Sequence, residues 1–394
     1  MKVAVYSGNI PSTTFIENLI KNLASSGIKI LLFGKKSGKI NYDKNIEVYD
    51  TPNTVIPLMF FIFKESVKLI LKNPASFSKL AGIVFSSDKG LKSNLKEFGT
   101  MLPVLNNEPD IFHIQWAKTV QKNSYLFDLL NCRFALSLRG AHINYSPLND
   151  KALAESYRKH FPKIDGFHAV SDNISKEAQK YGAAPEKIHV IYSSVKDDIL
   201  QSKTEFNKIK SSVTKIISIG RYHWKKGYEY SLDAMKILIR RGFNFQYTII
   251  AHGEVPEEIL FILSDKELKN RVVLKNGMPH DELMIELKSS DILILPSVEE
   301  GIANVVLESM AIGIPVISTD CGGMKEAVTD KENGMIVKVR DPEMLANSII
   351  EYSNLNEIKK EQMKLNARNT ILEKFTDQKQ KEGFIDFYNS LLNN

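Results

Sequence analysis

Residues 292–316, ILILPSVEEGIANVVLESMAIGIPV, constrain what this chain can fold into more than any other stretch. Ile292 to Leu295 form a continuous apolar run, the pattern of a strand buried on both faces. Pro296 and Ser297 end the run, Gly301 lets the backbone approach a ligand closely, and Asn304 suits an N-cap. Val305 to Ile312 carry helical apolar spacing, stopped by Gly313 and Pro315 before a second strand at 316–318. A strand–helix–strand unit makes a parallel sheet and brings its loop and helix N-terminus to the carboxyl edge, where α/β proteins bind ligands. Glu300 at the mouth of the loop and Glu308 inside the helix are placed there with backbone N–H groups suited to an anion or hydroxyls.

The same alternation runs along the whole chain. Residues 3–6, 29–33, 110–114, 133–138 and 166–170 read as strands. Residues 14–25 read as a helix with Phe15, Ile16, Leu19, Ile20 and Leu23 on one face. A second series has strands at 216–219, 247–250, 271–274, 292–295 and 316–318, with a helix near 228–240. Residues 197–212 are polar and read as a linker, and 356–392 read as helical with polar faces. With 394 residues, more than one core ordinarily serves, the expectation is α/β architecture in two domains.

The net charge of +6 is uneven, at +8 over residues 1–205 and −2 over 206–394. A basic first half suits an anionic partner, a membrane surface or a phosphorylated acceptor, or is simply a lysine-rich solvated surface. No nucleic-acid partner is expected. Two cysteines, Cys132 and Cys321, and the lack of a leader or spanning run point to the cytosol or the inner face of a membrane. Residues 55–72, VIPLMFFIFKESVKLILK, are apolar and then amphipathic, with Pro57, Lys64 and Glu65 against a bilayer span. They read either as a membrane-interface helix with Lys64, Lys68 and Lys72 toward headgroups or as a core helix at a domain edge.

A second motif, GRYHWKKG at 220–227, follows a strand and opens a helix, the turn where α/β sheets bind phosphates. Arg221 and Lys226 suit a diphosphate. It is neither a Walker A nor a GxGxxG sequence, and the chain has no DxD triplet of the metal-dependent transferases.

GRYHWKKG, EGIANVVLESMAIGIPVI and TDCGGMKE resemble the nucleotide-sugar half of family 4 retaining glycosyltransferases. PSTTFIENLIKNL and SLRGAHI are similar to the branch that builds bacterial exopolysaccharide and lipopolysaccharide, colanic-acid transferases included. The resemblance implies the GT-B fold, two Rossmann-like parallel-sheet domains facing across a cleft, at 1–197 and 198–375, with 376–394 crossing back. It implies a hexose donor carried on UDP or GDP, a glycan or lipid-linked acceptor, and no metal or other cofactor. Arg221 and Lys226 would hold the diphosphate, Glu308 the ribose and Glu300 the sugar hydroxyls. Backbone N–H groups of Gly301, Ile302, Ala303 and Asn304 would meet sugar or phosphate, and Met278 would lie near the base. Gly322, Gly323 and Glu326 match the family's GGxxE, in a ligand or a structural role.

On the acceptor side, Ser12, Thr13 and Thr14 either bind an anion at a helix N-terminus or merely cap it. Arg139 at a strand end asks for an anion, and His142 is a base, a hydrogen-bond donor or a structural loop histidine. This chain departs from the family with Arg139-Gly-Ala-His142 where relatives have His, Gly and Asp, and with His252 in place of an acid in AHGE. The rival readings are a nucleotide-sugar epimerase of similar fold and a glycan-binding subunit without turnover.

Overall fold

The structure is a computed structural model and describes residues 1–38, 41–88, 90–202 and 212–393, apart from the side chain of Ser7. Contacts divide the chain into two compact units. The first holds residues 1–170, 174–191 and 381–394, and the second holds 171–173 and 192–380.

The first unit is a seven-stranded parallel sheet: β1 Lys2–Ile10, β2 Lys29–Lys36, β3 Ile46–Asp50, β4 Ile111–Ile114, β5 Arg133–Leu138, β6 Gly166–Ala169 and β7 Ile188–Val190. Its order is β3-β2-β1-β4-β5-β6-β7. Helix Thr14–Ser25 forms at the expected residues and buries Ile16, Leu19, Ile20 and Leu23, with Phe15 half-buried beside them. The second unit has six parallel strands: β8 Thr214–Arg221, β9 Phe245–His252, β10 Val272–Asn276, β11 Ile292–Leu295, β12 Val316–Thr319 and β13 Met335–Val337. They run in the order β10-β9-β8-β11-β12-β13.

In both sheets the chain builds outward in one direction and then returns to build in the other. The switch lies between β1 and β4 in the first unit and between β8 and β11 in the second. The loops that leave these central strands splay apart at their carboxyl ends and open a crevice for a ligand. Strand β11 is buried throughout, as its unbroken apolar run requires, and each sheet carries apolar clusters built around Phe112, Val5, Leu293 and Tyr247.

Three strands have no counterpart in the sequence reading: β3, β7 and β13. The polar stretch read as a linker starts as a short helix, Asp197–Gln201, and its residues 203–211 lie outside the described residues. Residues 356–392 form two helices, Glu357–Lys374 and Asp377–Asn393. The second is not polar on all sides, since Phe384, Phe387, Tyr388 and Leu391 are buried.

Candidate functional site

At the switch point of the second unit, strand β8 delivers Arg221 and a short 3-10 turn, Trp224–Lys226, before helix Tyr228–Arg240. Strand β11 delivers Ser297 to Gly301 alongside. The two loops are tied by Val298 N–H donating to the Lys225 carbonyl at 2.7 Å. Gly227 has φ +61, and a Cβ there would lie 2.2 Å from the Pro296 carbonyl oxygen, so only glycine permits this approach.

The side chains that result are interlocked. Lys226 Nζ donates to Glu300 Oε1 at 2.6 Å, and Ser297 Oγ donates to the same oxygen at 3.2 Å. Lys225 Nζ stands 3.8 Å from Glu300 Oε2 and 3.9 Å from Glu299 Oε2. Lys225 and Glu300 are both buried, while Arg221 is exposed and in no ion pair among the described residues. His223 is held below its usual pKa by burial first and then by the neighbouring Lys225, Arg221 and Lys226.

Helix Asn304–Ile312 starts beside this cluster. Asn304 is not its N-cap. The chain turns one residue earlier, with Ala303 extended at φ −77, ψ 119, and no side chain caps the helix. Ala303 N–H points inward to Met324 Sδ at 3.4 Å, so of the four backbone groups expected to face a ligand this one is turned to the core. The uncapped helix leaves its first N–H groups without intrahelical partners. Gly322 and Gly323 support the loop from beneath. A Cβ at Gly322 would fall 1.7 Å from the Glu300 carbonyl oxygen, and Gly323 N–H donates to the Gly301 carbonyl at 2.8 Å. Glu326 accepts from the N–H groups of Asp172 and Asn173 at 2.8 and 3.1 Å, so its carboxylate is occupied by backbone.

One helical turn beyond Asn304, Glu308 Oε1 pairs with His280 Nε2 at 3.0 Å. The His280 pKa is raised, chiefly by this hydrogen bond, against the opposing effect of burial. Met278 lies just before His280, and the ring of His252 rests against Gly277. Arg221, Lys226, Glu300 and the residue 301–304 loop are therefore gathered at one strand edge, with Glu308 one turn along the same helix.

The switch point of the first unit carries a cavity of about 570 Å³ lined by Ser12, Thr13, Lys35, Lys96 and Trp116 among others. Thr13 is the N-cap of helix Thr14–Ser25, without a side-chain cap bond, and Thr14 does not line the cavity. The Ser12 N–H donates to Glu17 Oε1 at 2.7 Å, so the chain's own carboxylate occupies that amide. Arg139 leaves β5 with its guanidinium 4.6 Å over the Phe15 ring and its Nη2 donating to Gln115 Oε1 at 3.3 Å. Its Nε and the Gln115 Nε2 are buried without hydrogen-bond partners among the described residues. Burial lowers the Arg139 pKa to about 10, which leaves it a cation. His142 packs on Trp116 at 5.3 Å, and burial, with Lys118, lowers its pKa to about 4, so it is neutral near pH 7.

Against known families, residues 201–370 match the one described as Glycosyl transferases group 1. Among curated relatives, the chain is 30% identical over 206 residues to the putative colanic acid biosynthesis glycosyltransferase WcaL of Escherichia coli, covering 51% of this chain and 50% of the relative. It is 27% identical over 220 residues to the amylovoran biosynthesis glycosyltransferase AmsK of Erwinia amylovora, covering 52% and 53%. The chain thus spans about half the length of the curated relatives it matches. A glycosyltransferase from Rickettsia africae superimposes with a TM-score of 0.71 at 19% identity, covering 100% of this chain and 99% of that one. Anabaena Alr3699/HepE in complex with UDP and glucose does so at 0.70 and 15%, covering 99% and 100%. At these identities the likeness shows the fold, which is GT-B.

The second unit contains three candidate residues that sequence reasoning did not single out. Lys225 is buried against Glu299 and Glu300, but as one of two adjacent lysines it carries no distinguishing signal. Ser297 and His280 touch Glu300 and Glu308 directly. Ser297 was visible as a small polar residue ending a buried strand, whereas His280 lies 28 residues from its partner with no local pattern.

Proposed function

We propose that the chain is a retaining glycosyltransferase that moves a hexose from a UDP- or GDP-linked donor to a glycan or lipid-linked acceptor in cell-surface polysaccharide synthesis. The observation that carries this reading is the Lys226–Glu300 contact at 2.6 Å beside exposed Arg221, at the switch point of a parallel sheet. In the free protein Glu300 neutralises Lys226. An arriving donor offers each a better-matched partner, its diphosphate for Lys226 and Arg221 and its sugar hydroxyls for Glu300. Glu308 takes the ribose hydroxyls, and Met278 lies toward the base.

When the anomeric carbon–oxygen bond breaks, its electron pair goes to the leaving phosphate oxygen. Arg221, Lys226 and the uncapped N–H groups at the start of helix Asn304–Ile312 stabilise that charge, and one such donor is typically worth about 3–4 kcal/mol. The acceptor hydroxyl attacks from the face the diphosphate leaves, and its proton passes to the departing phosphate oxygen, so configuration is retained. The cations are the chain's own, and the proposal includes no metal or other cofactor. We assign the acceptor to the first unit, with Arg139 meeting an anionic group and neutral His142 serving as a hydrogen-bond partner.

Relatives named for colanic acid and amylovoran synthesis, and a similarly folded protein solved with UDP and with UDP-glucose, support the reading. The test is a panel of UDP-, GDP- and ADP-sugars with and without glycan acceptors, followed by NMR of the anomeric proton. Transfer with retention, or slow donor hydrolysis without acceptor, is expected. Neither reaction with any donor would overturn the proposal. Conversion of the donor sugar without an acceptor would assign an epimerase, and donor binding without turnover a non-catalytic subunit.

A further inference from the structure

Helix Val55–Lys72 in the first unit presents three separate strips along its length. At about 100° per residue, Leu58, Ile62, Glu65 and Leu69 fall on one narrow strip, and all four are buried. That strip packs on helix Leu91–Asn107, where Ile62 and Leu58 lie against Gly99 and Asn106 Nδ2 donates to Glu65 Oε2 at 2.8 Å. A second, wider arc holds Ile56, Met59, Phe60, Phe63, Ile70 and Leu71. Phe60 is 72% exposed, Phe63 70% and Leu71 82%. Between the arc and the buried strip runs a row of lysines, Lys64, Lys68 and Lys72, spaced i, i+4, i+8. Both sequence readings of this segment thus describe part of it, one strip lying in the core and the opposite arc lying bare.

We propose that this arc lies in the headgroup–acyl boundary of a membrane containing anionic lipids, with the lysine row reaching the lipid phosphates. Such a large contiguous apolar arc is unusual on a monomer's surface and marks an interaction site. Charge selects the occupant. The helix has one acid, Glu65, which is buried against Asn106 and paired with exposed Lys68, and Lys72 pairs with Glu108 beyond the helix, so the exposed arc itself carries no negative charge. A lysine row along one margin of an apolar face is the arrangement of an interfacial helix, whose apolar side sinks about 5–10 Å below the headgroups. The excess of +8 over residues 1–205 adds longer-range attraction to the same surface. No described helix is long and apolar enough to cross a membrane, so the contact is peripheral. The inference stands independently of the transfer reaction.

Flotation of the intact protein with phosphatidylcholine vesicles, with and without phosphatidylglycerol, tests it. Binding to the anionic vesicles, weakened by salt, is expected. Phe60→Ser and Phe63→Ser should each lower the partition coefficient about tenfold or more. Lys64→Gln, at a lysine in no ion pair among the described residues, should lower it about fivefold. Thermal unfolding of each variant, compared with wild type, shows that the fold is kept, as expected for exposed positions. Failure of the wild type to bind anionic vesicles would overturn the proposal, as would binding insensitive to both phenylalanine changes. Concentration-dependent self-association lost in those variants, without vesicle binding, would make the arc a contact between copies of the chain.

Discussion

The two switch points occupy equivalent places in two similar sheets, yet their electrostatics are opposed. In the second unit Lys225, Lys226, Glu299 and Glu300 interlock, and exposed Arg221 stands beside them. In the first, Arg139 has for partners a neutral amide and the face of Phe15. Behind it His113 Nδ1 pairs with the Tyr388 hydroxyl at 2.7 Å, and Ser137 joins His113 to His168 at 2.9 and 2.8 Å. Sheet order thus sets where a ligand can sit, and the loops set what it can be. A cation already matched to a carboxylate can exchange that partner for a diphosphate without leaving a charge stranded. A half-buried cation with neutral partners instead remains in want of an anion.

The glycine under the loop of Ser297 to Gly301 gives the largest expected effect. Gly322→Ala would drive a methyl group into the Glu300 carbonyl at a position with φ +52. A loss of about 4 kcal/mol or more in unfolding free energy is expected, together with loss of nucleotide binding. Denaturant titration checks the first and calorimetry with UDP and GDP the second. Unchanged stability would mean that the loop is not held from beneath.

Lys226→Met follows, with an expected 100- to 1,000-fold fall in turnover, about 3–4 kcal/mol, and weaker nucleotide diphosphate binding. Glu300→Gln in the same protein separates two roles. If Lys226 served only to neutralise Glu300, the double variant would regain nucleotide affinity. If Lys226 holds the diphosphate, affinity stays low, which is the expected result.

The sequence and the structure agree where a local pattern has one physical solution. The four-residue apolar run of β11 and the amphipathic helix Thr14–Ser25 are of this kind. Strands β7 and β13 have three residues each and lie at sheet edges, and β3 is a half-exposed edge strand. Such segments are strands because a neighbour pairs with them, not because their own residues demand it. The gathering of Arg221, Lys226 and Glu300 was legible because parallel topology forces both loops to one edge. The Lys226–Glu300 contact was not, since it spans 74 residues. The seat of Glu17 on the Ser12 amide was not legible either: Thr14-Phe-Ile-Glu17 has the spacing of a capping box, but the N-cap is Thr13 and Glu17 reaches back past it to Ser12.

The buried histidines of the first unit give the third effect. Burial lowers the His113 pKa to about 3 and holds His168 well below its usual value, with Arg139 adding to both. Their folded pKa values lie below the unfolded value of about 6.5. The stability they contribute is complete above that pH and is lost as pH falls, because the unfolded chain takes up the protons first. Unfolding free energy should decline by about 1.4 kcal/mol per pH unit for His113 between about pH 6 and pH 4, and His168 should steepen the decline. Equilibrium unfolding of wild type and His113→Gln at several pH values checks this. An equally steep decline in the variant would remove His113 as its cause.

His280 in the second unit titrates in the opposite sense and by less. Its ring pairs with the Glu308 carboxylate at 3.0 Å, which raises its pKa. A folded pKa above the unfolded value contributes stability that is fully present below about pH 6.5 and lost as pH rises through the raised pKa. The side chain is 46% exposed, so solvent screening limits the contribution to about 1 kcal/mol or less. His280→Ala should therefore lower the melting temperature slightly at about pH 6, and the difference should shrink as pH rises and the wild-type imidazole gives up its proton. Adding UDP sharpens the test. If Glu308 turns from His280 to the ribose when a nucleotide binds, the difference at pH 6 should shrink in the complex. A difference that persists with UDP bound would mean that Glu308 serves His280 and not the ribose.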